Sequence, residues 1–319
     1  MSTTILILIL IIVLSIFFVW VAVRAWRTKK LALKIIGGTL ISLVALLFII
    51  VSIAGLIGLI KFTMPQNASV PDIQVAGTPE QVARGEDIAN FFCASCHSLT
   101  NDLPLTGGMD MGSHSSIPIG SFFSANLTQK GRISEWSDGE VFRAIRNGID
   151  KDGRKLMVMS SVRGRYLSDE DILAVIAYLR SQPAIGDSTA NPPDQPSIVG
   201  LVLAGVGLIP MDGPLIEGVI TAPKKAASSE YGEYILSYQD CRECHGQNLE
   251  GGASGQMAPL GPSLVILKGW TEEQFISTMR TGVDPYGHEI NNEVMPWKNI
   301  GRMDDDELKA ILMYVSSSP

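Results

Sequence analysis

The sequence predicts a mainly α-helical protein in which two transmembrane helices precede two homologous helical domains. Two long apolar runs near the N-terminus predict the transmembrane helices, a duplicated segment predicts the two domains, and each copy contains one Cys-x-x-Cys-His motif. We expect a two-helix membrane anchor at 1–61, a linker at 62–78, a first domain at 79–182, a Pro/Gly-rich interdomain strap at 183–228 and a second domain at 229–319.

The charge distribution separates the N-terminal region from the rest of the chain. Residues 1–61 contain six basic residues and no acidic residue, whereas residues 62–319 contain 19 basic and 32 acidic residues. The acidic part lacks the basic face that nucleic acid binding needs. A content of 46% hydrophobic residues argues against disorder. The acidic surface instead predicts docking to a basic partner protein.

The apolar runs at 5–23 and 35–60 are each long enough to cross a hydrocarbon core of about 30 Å, at about 1.5 Å per residue. The loop at 24–34 carries five cations, which favours the cytoplasmic side. We therefore expect both chain ends and residues 62–319 on the periplasmic side of a bacterial cytoplasmic membrane. A cleaved signal peptide is the alternative for the first run and a buried core helix for the second. Neither fits well, because the cations follow the first run and the second has no polar face.

An internal repeat defines the two domains. Residues 136–153 align with 270–287 at an offset of 134, and residues 167–178 align with 303–314 at an offset of 136. Each copy ends in a helix that starts at a capping box. The predicted caps are Ser168 with Asp171 and Asp304 with Glu307. We also expect an aromatic residue of each last helix to pack on a glycine of the first helix. These pairs are Tyr178 with Gly85 and Tyr314 with Gly232.

Two segments fall outside the repeat. The first copy has 14 more residues than the second between its motif histidine and the shared tryptophan, and this Gly-, Ser- and Met-rich insertion is predicted to be loop. The interdomain strap contains a run of twelve residues without a charge, 198–209, which is too short to span a bilayer. We expect the run to pack against one or both domains, and an interfacial contact with the membrane is the alternative.

The Cys-x-x-Cys-His motif predicts covalent haem attachment. Two cysteines three apart lie on one side of a helical turn and can form thioethers with both porphyrin vinyl groups, and the following histidine then reaches the iron. The predicted residues are Cys93, Cys96 and His97 in the first domain and Cys241, Cys244 and His245 in the second. Zinc binding and a redox-active dithiol are weaker alternatives, because the pairs are 148 residues apart and no thioredoxin-like α/β pattern accompanies them. The cofactors predicted are two covalently bound haem c groups.

Methionines at matched positions are predicted to be the sixth iron ligands. Met159 lies eight residues before Leu167, and Met295 lies eight residues before Met303, so both hold the same place before the last helix. A thioether stabilises ferrous iron and raises the reduction potential. Alternative ligands are Met157, Met109, Met111 and His114 for the first haem and Met257 for the second. Arg146 and Arg280 also match, either as propionate partners or as solvated helix residues.

Each domain resembles a class I cytochrome c domain, with a helix ending in the haem motif, an axial methionine on a late loop and a last helix crossing the first. The first domain resembles the cytochrome subunits of membrane-bound alcohol, gluconate and sorbitol dehydrogenases. The residues that carry this likeness are Gly107-Gly108, 118–128, 136–138, Arg146-Asn147-Gly148 and 167–171. Met159-Ser160 stands where that family has Met-Pro. The order of spans and domains is also similar to the dihaem subunit of cbb3-type oxidases.

The resemblance implies a membrane-anchored cytochrome that relays single electrons between a respiratory, photosynthetic or dehydrogenase complex in the membrane and another redox protein. The partners predicted are integral-membrane redox subunits, a donor or acceptor with a basic docking face, and the lipid bilayer. Two alternatives stay open: a haem enzyme of the dihaem peroxidase type with one open axial site, and a mainly structural subunit of a larger redox complex.

Overall fold

The computed structural model of the chain describes residues 1–115, 117–187, 193–209, 211, 213–256 and 258–317. It is mainly helical, as the sequence predicts. The α-helices are α1 Ser2–Trp26, α2 Gly38–Thr63, α3 Pro79–Ile88, α4 Ala94–His97, α5 Asp138–Asn147, α6 Met157–Ser161, α7 Asp169–Ser181, α8 Ile198–Gly205, α9 Ser229–Tyr238, α10 Cys241–His245, α11 Glu272–Thr281, α12 Trp297–Ile300 and α13 Asp305–Ser317. Short 3₁₀ turns cover Met111–His114, Arg132–Glu135, Arg163–Tyr166 and Leu264–Gly269, and π turns cover Leu33–Gly37 and Ala89–Cys93.

Helices α1 and α2 form an antiparallel hairpin, and both are long and apolar enough to cross a membrane. Ser15 and Ser52 share a hydrogen bond of 2.9 Å between their hydroxyls near the middle of the hairpin. Small residues allow the two backbones to approach, as is usual between helices in lipid. A Cβ placed on Gly55 would lie only 2.7 Å from Leu8. The start of α1 and the end of α2 consequently lie at the same end of the hairpin.

The first helical unit is organised by the crossing of α3 and α7. A Cβ on Gly85 would lie 1.9 Å from the carbonyl oxygen of Ala174 and 2.8 Å from the Cβ of Tyr178, so only glycine permits this crossing. Helix α7 begins at Ser168, whose hydroxyl accepts from the backbone N–H of Asp171 at 3.0 Å. The predicted glycine contact is confirmed. The predicted capping box is confirmed only in its first half, because the N–H of Ser168 donates to the hydroxyl of Tyr234 and not to Asp171.

The second unit repeats this construction with α9 and α13. A Cβ on Gly232 would lie 2.0 Å from the carbonyl oxygen of Ala310 and 2.8 Å from the Cβ of Tyr314. At the start of α13, Asp304 and Glu307 form a complete capping box, with bonds of 2.9 and 3.2 Å. The second pair of predictions is therefore confirmed as well.

The insertion of the first unit and the interdomain strap meet in a small sheet. The strands β1, Gly120–Ser121, and β2, Gln195–Pro196, pair antiparallel, with Gly120 opposite Pro196. The rest of the described insertion is loop and 3₁₀ turn, as the sequence predicts, apart from an isolated bridge that pairs Asp110 with Phe123. The run of apolar residues in the strap forms α8, which packs mainly against α2. The sequence did not predict a contact with the membrane hairpin at this position.

The apolar core is continuous between the two helical units. Side chains from the crossing helices of both units belong to one buried cluster, including Ile88, Ile176, Ile235 and Leu308, each 0% exposed. A second, smaller cluster joins the first unit to α2 and the strap through Phe62, Phe122, Met157, Leu201, Ala204 and Met211. The first unit therefore packs against both the second unit and the hairpin.

Candidate haem attachment sites

The motif of the first unit lies at the end of a continuous helical segment. Helix α3 runs through the π turn Ala89–Cys93 into α4, so Cys93 and Cys96 are separated by about one turn, with His97 at the end of the helix. Both thiols are free and half-buried. This is the geometry that attachment to two vinyl groups of one porphyrin requires.

The His97 ring is oriented by the backbone of a following loop. Its Nδ1 lies 2.8 Å from the carbonyl oxygen of Ala125. Because a carbonyl can only accept, Nδ1 carries the proton and Nε2 keeps its lone pair. Burial lowers the pKa of His97, which favours the neutral ring that binds a metal. Histidines that ligate metals are commonly held in this way through the nitrogen that does not bind.

The second unit repeats the arrangement from a different loop. Helix α9 ends at Tyr238, and α10 then presents Cys241, Cys244 and His245. The Nδ1 of His245 lies 2.7 Å from the carbonyl oxygen of Pro262, and the residue is 7% exposed. Two histidines at equivalent motif positions are therefore both held in the tautomer that leaves Nε2 available.

The state of the thiols argues against the alternative chemistries. Burial raises the pKa of Cys93 to about 12 and that of Cys241 to about 11. A reactive dithiol needs an accessible thiolate, and these environments disfavour it. In the described part of the chain, no cluster of three His, Cys, Asp or Glu side chains could hold a metal ion. Neutral thioethers are compatible with such burial.

The structure distinguishes the two neighbouring methionines of the first unit. Met157 is 5% exposed and packs in the small cluster that contains Phe62 and Phe122. Met159, on the same short helix α6, is only half-buried and belongs to neither apolar cluster. In the second unit Met295 is likewise half-buried, lies just before α12 and packs against the larger apolar cluster. Met157 thus has a packing role, and the assignment of Met159 as the ligand of the first iron stays a prediction.

The other alternative ligands fall in the insertion. Met111 packs against the small apolar cluster. The N–H of Met109 donates to the hydroxyl of Ser124 at 3.0 Å, which ties the Met109 backbone to the loop that holds Nδ1 of His97. Met257 and the side chain of His114 lie outside the described residues.

The matched arginines fasten the helix before each methionine loop to the last helix. Arg146, 1% exposed, donates to the carbonyl oxygens of Arg165 and Leu167 and to the carboxylate of Asp169 at 2.5–2.6 Å. Arg280 pairs with Asp305, the residue equivalent to Asp169, at 3.0 Å. The interpretation of Arg146 as a solvated helix residue is therefore wrong. Its NH1 group makes two bonds and NH2 makes one within the chain, whereas its buried Nε has no hydrogen-bond partner among the described residues, so the propionate interpretation stays open.

The two Cys-x-x-Cys-His motifs lie side by side, which the sequence did not predict. The rings of Phe92, next to Cys93, and Tyr238, three residues before Cys241, meet edge to face with centroids 6.0 Å apart. Arg302 of the second unit donates to the carbonyl oxygen of Asn90 at 3.0 Å. The signal that could have indicated the contact is the pair of aromatic residues placed just before the two motifs.

The side chain of Arg84 joins the two units at the starts of their last helices. Arg84 makes a bidentate bond to Asp171, at 2.9 and 3.1 Å, and reaches Glu307 of the second unit at 2.6 Å. Asp171 and Glu307 are equivalent positions in the repeat. Burial lowers the pKa of Arg84, but the hydrogen bond and charge of Asp171, with further help from Tyr231 and Glu307, more than offset this, and the pKa is raised.

The fold and the paired motifs define a protein built on two cytochrome c domains. Residues 80–179 and 230–315 match the family described as cytochrome c oxidase, cbb3-type, subunit III. These segments cover more than half of the chain, and the chain belongs to this cytochrome c family. Membership implies covalently bound haem c, and the cysteines and histidines described above fit that group in number, spacing and tautomer.

Curated relatives are subunits of dehydrogenases. A nicotinate dehydrogenase subunit from Pseudomonas putida is 25% identical over 82% of this chain and 24% of its own length. The cytochrome c subunit of a quinone alcohol dehydrogenase from Gluconacetobacter polyoxogenes is 25% identical over 77% of this chain and 58% of its own length. The fructose dehydrogenase cytochrome subunit of Gluconobacter japonicus is 32% identical over 30% of this chain and 20% of its own length. The chain thus spans about a quarter of the first relative and somewhat more than half of the second.

Proposed function

We propose that the protein is a membrane-anchored dihaem cytochrome c that relays single electrons between a dehydrogenase or respiratory complex in the membrane and another redox protein. The observation that carries this proposal is the matched orientation of His97 and His245, each held through Nδ1 by a backbone carbonyl. A structural histidine has no need for this arrangement in both copies of a repeat. An iron ligand needs it in each, because the ring must keep Nε2 unprotonated and fixed.

The chain supplies anchoring, axial ligands and exclusion of water. Cys93, Cys96, Cys241 and Cys244 would hold the haem groups as thioethers, and His97 with Met159 and His245 with Met295 would be the iron ligands. Bound haem supplies a reversible one-electron couple at the iron, and the protein tunes its potential through the axial sulfur and burial. Transfer between the units is favoured by the contact of Phe92 with Tyr238, which brings the two attachment segments together.

Helices α1 and α2 form the membrane anchor in this proposal. The loop at 24–34 carries five cations and lies at the closed end of the hairpin, which favours the cytoplasmic side. The open end, with Ser2 and Thr63, then faces the periplasm together with both haem units. Cationic residues are far fewer there, since residues 1–23 contain no charged side chain and Lys61 is the single cation of 35–63.

The charge of the second unit supports docking to a basic partner. Residues 229–319 contain 14 acidic and six basic side chains, a balance of −8, whereas residues 79–182 contain 13 and 11, a balance of −2. Such a field accelerates encounter with a positively charged redox protein, and the acceleration is lost as salt screens it. The relatives are subunits of dehydrogenases, which suggests a dehydrogenase as the membrane partner.

The test uses the full chain matured in a host that assembles c-type cytochromes. We expect two haem groups per chain by haemochrome assay against protein mass. Met159→Leu should lower one of two midpoint potentials and change the spectrum of one haem, and Met295→Leu should do the same for the other. Met157→Leu is the matched control, because a volume-conserving change in an apolar cluster leaves the ligand in place.

Two outcomes contradict the proposal. One haem group per chain would show that one motif is not used for attachment. A loss of the axial sulfur signature in Met157→Leu, with Met159→Leu unchanged, would exchange the roles of the two methionines.

A further inference from the structure

The apolar helix α8 of the strap touches α2 backbone to backbone. A Cβ on Gly58 would lie 1.9 Å from the carbonyl oxygen of Leu201, and a Cβ on Gly205 would lie 1.8 Å from that of Ala54. The contacts repeat at a spacing of four residues on each helix, with small residues at the crossing. Glycine contacts as close as these also occur within the two helical units, at Gly85 and Gly232, but here they lie on a helix of the proposed membrane anchor, where small residues rather than expulsion of water bring helices together.

The order of these contacts shows the direction of α8. Leu201 lies opposite Gly58, and Gly205, four residues later, lies opposite Ala54. Helix α8 therefore runs antiparallel to α2, away from the α2 end at Thr63. Ala54 is nine residues before that end, which corresponds to about 13 Å along the helix axis. In a hydrocarbon core of about 30 Å, this depth lies within one leaflet.

Several polar groups at and before the ends of α8 find partners within the chain. Ser197 caps the first turn by accepting from the N–H of Gly200 at 3.0 Å. Lys61 of α2 donates to the carbonyl oxygen of Ala204 in the last turn at 3.1 Å. Before the helix, Thr4 of α1 donates to the carbonyl oxygen of Pro196 at 2.8 Å. Irregular backbone at membrane depth is tolerated only when its polar groups find such partners.

The outer side of the segment is apolar and uncovered by the chain. Val199, Val206 and Leu208 are 37, 54 and 65% exposed, and residues 198–209 contain no charged side chain. On α2, which α8 contacts, Ile57 and Ile60 are 40 and 50% exposed. The exposed residues of α8 and α2 thus belong to adjoining apolar surfaces of the same packed pair of helices.

We propose that residues 198–209 insert into the periplasmic leaflet beside α2, with lipid acyl chains covering Val199, Val206 and Leu208. The inference rests on the proposed membrane anchor, because the leaflet is defined by α1 and α2. Its consequence is that the first haem unit is fixed to the membrane surface. The carbonyl oxygen of Ile119 lies 2.1 Å from a Cβ placed on Gly200, and Phe122 stacks on Phe62 at 6.2 Å.

Photolabelling of the haem-loaded full chain in its native membranes tests the proposal without a mutation. An apolar diazirine reagent that partitions into lipid is activated, and labelled peptides are mapped by mass spectrometry. We expect label in 2–26, 33–63 and 198–209, and none at the exposed apolar residues Val219 and Leu260, which are 78 and 63% exposed. Label in the two long helices without label in 198–209 would overturn the insertion and leave the anchor standing. Absence of label from the long helices would overturn the anchor, and the insertion with it.

A spin-label measurement distinguishes lipid from water and from protein as the covering medium. A nitroxide attached at Leu208→Cys should collide more with dissolved oxygen than with a water-soluble nickel chelate, and one at Val219→Cys should show the reverse. Preference for the nickel chelate at Leu208→Cys would place this residue in water. Protection from both reagents would indicate a protein partner. Either result would overturn insertion into lipid.

Discussion

Replacement of Arg84 by methionine should show how much the polar contact between the two helical units contributes to the free energy of unfolding, apart from the contribution of the apolar core. The change removes the cation that Asp171 and Glu307 share, and these carboxylates have side chains only 9 and 1% exposed. Leaving a buried charge without its partner costs about 3–5 kcal/mol. Some compensation remains, because Tyr234 donates to Asp171 at 2.6 Å and Lys225 lies 3.5 Å from Glu307. We therefore expect about 3 kcal/mol, at the lower end of that range.

The assay is guanidinium unfolding of the haem-loaded chain in mild detergent, followed by far-ultraviolet circular dichroism. The matched control is Arg154→Met, because Arg154 is 53% exposed and pairs with the exposed Asp152 and with the buried Asp150, whose carboxylate keeps two backbone N–H donors when the Arg154 side chain is lost. Such a pair contributes about 1 kcal/mol or less. The double variant Arg84→Met, Glu307→Gln should recover part of the loss, since it no longer buries an unpaired carboxylate at that position. Equal destabilisation by Arg84→Met and Arg154→Met would refute the reasoning.

Two further predictions concern stability. Gly85→Ala should destabilise the first unit by about 3 kcal/mol in the same unfolding assay, because the new Cβ would overlap the backbone of Ala174, whereas Gly218→Ala, with nothing within 4 Å, should have no measurable effect. Lys225→Gln should lower stability more at pH 6 than at pH 3. Burial raises the pKa of Asp304, but the hydrogen bond and charge of Lys225 more than offset this and lower it. Stability from a lowered carboxylate pKa is present above the unfolded value of about 3.9 and disappears as the pH falls through the folded value. An effect of Lys225→Gln that was equally large at pH 6 and at pH 3 would contradict this assignment.

The elements that could be predicted from the sequence are those specified by local signals. The cap at Ser168 and the glycine contact of Tyr178 follow from residue types at fixed spacing, and the structure has both. The contacts between units could not be predicted in the same way. The sequence predicts Asp171 only as a cap residue. Its carboxylate instead bonds Arg84, which lies 87 residues earlier in the chain. Nothing in the repeat distinguishes an exposed acid at that position from one that pairs across an interface.

The position of α8 could not be predicted from the sequence for a different reason. A run of twelve apolar residues is compatible with a strand, a core helix or an interfacial helix, and periodicity alone does not distinguish them. The position of this run is decided by the surface that it packs against. Gly58 provides that surface, on a helix some 140 residues earlier in the chain. Small residues in a membrane helix indicate that something packs closely against it. They do not indicate which later segment does so.

The two units of the repeat are placed unequally with respect to the hairpin of α1 and α2, and this gives the proposed relay a direction in space. The first unit holds the hairpin through Phe122 and Phe62, and the backbone of Gln66 bonds that of Gly153. The second unit carries most of the negative charge and is joined to the first through Phe92 and its neighbours. A donor or acceptor within the membrane would therefore exchange electrons with the first haem, and a basic soluble protein with the second. In this arrangement every transferred electron passes between the two units at the contact of their attachment segments.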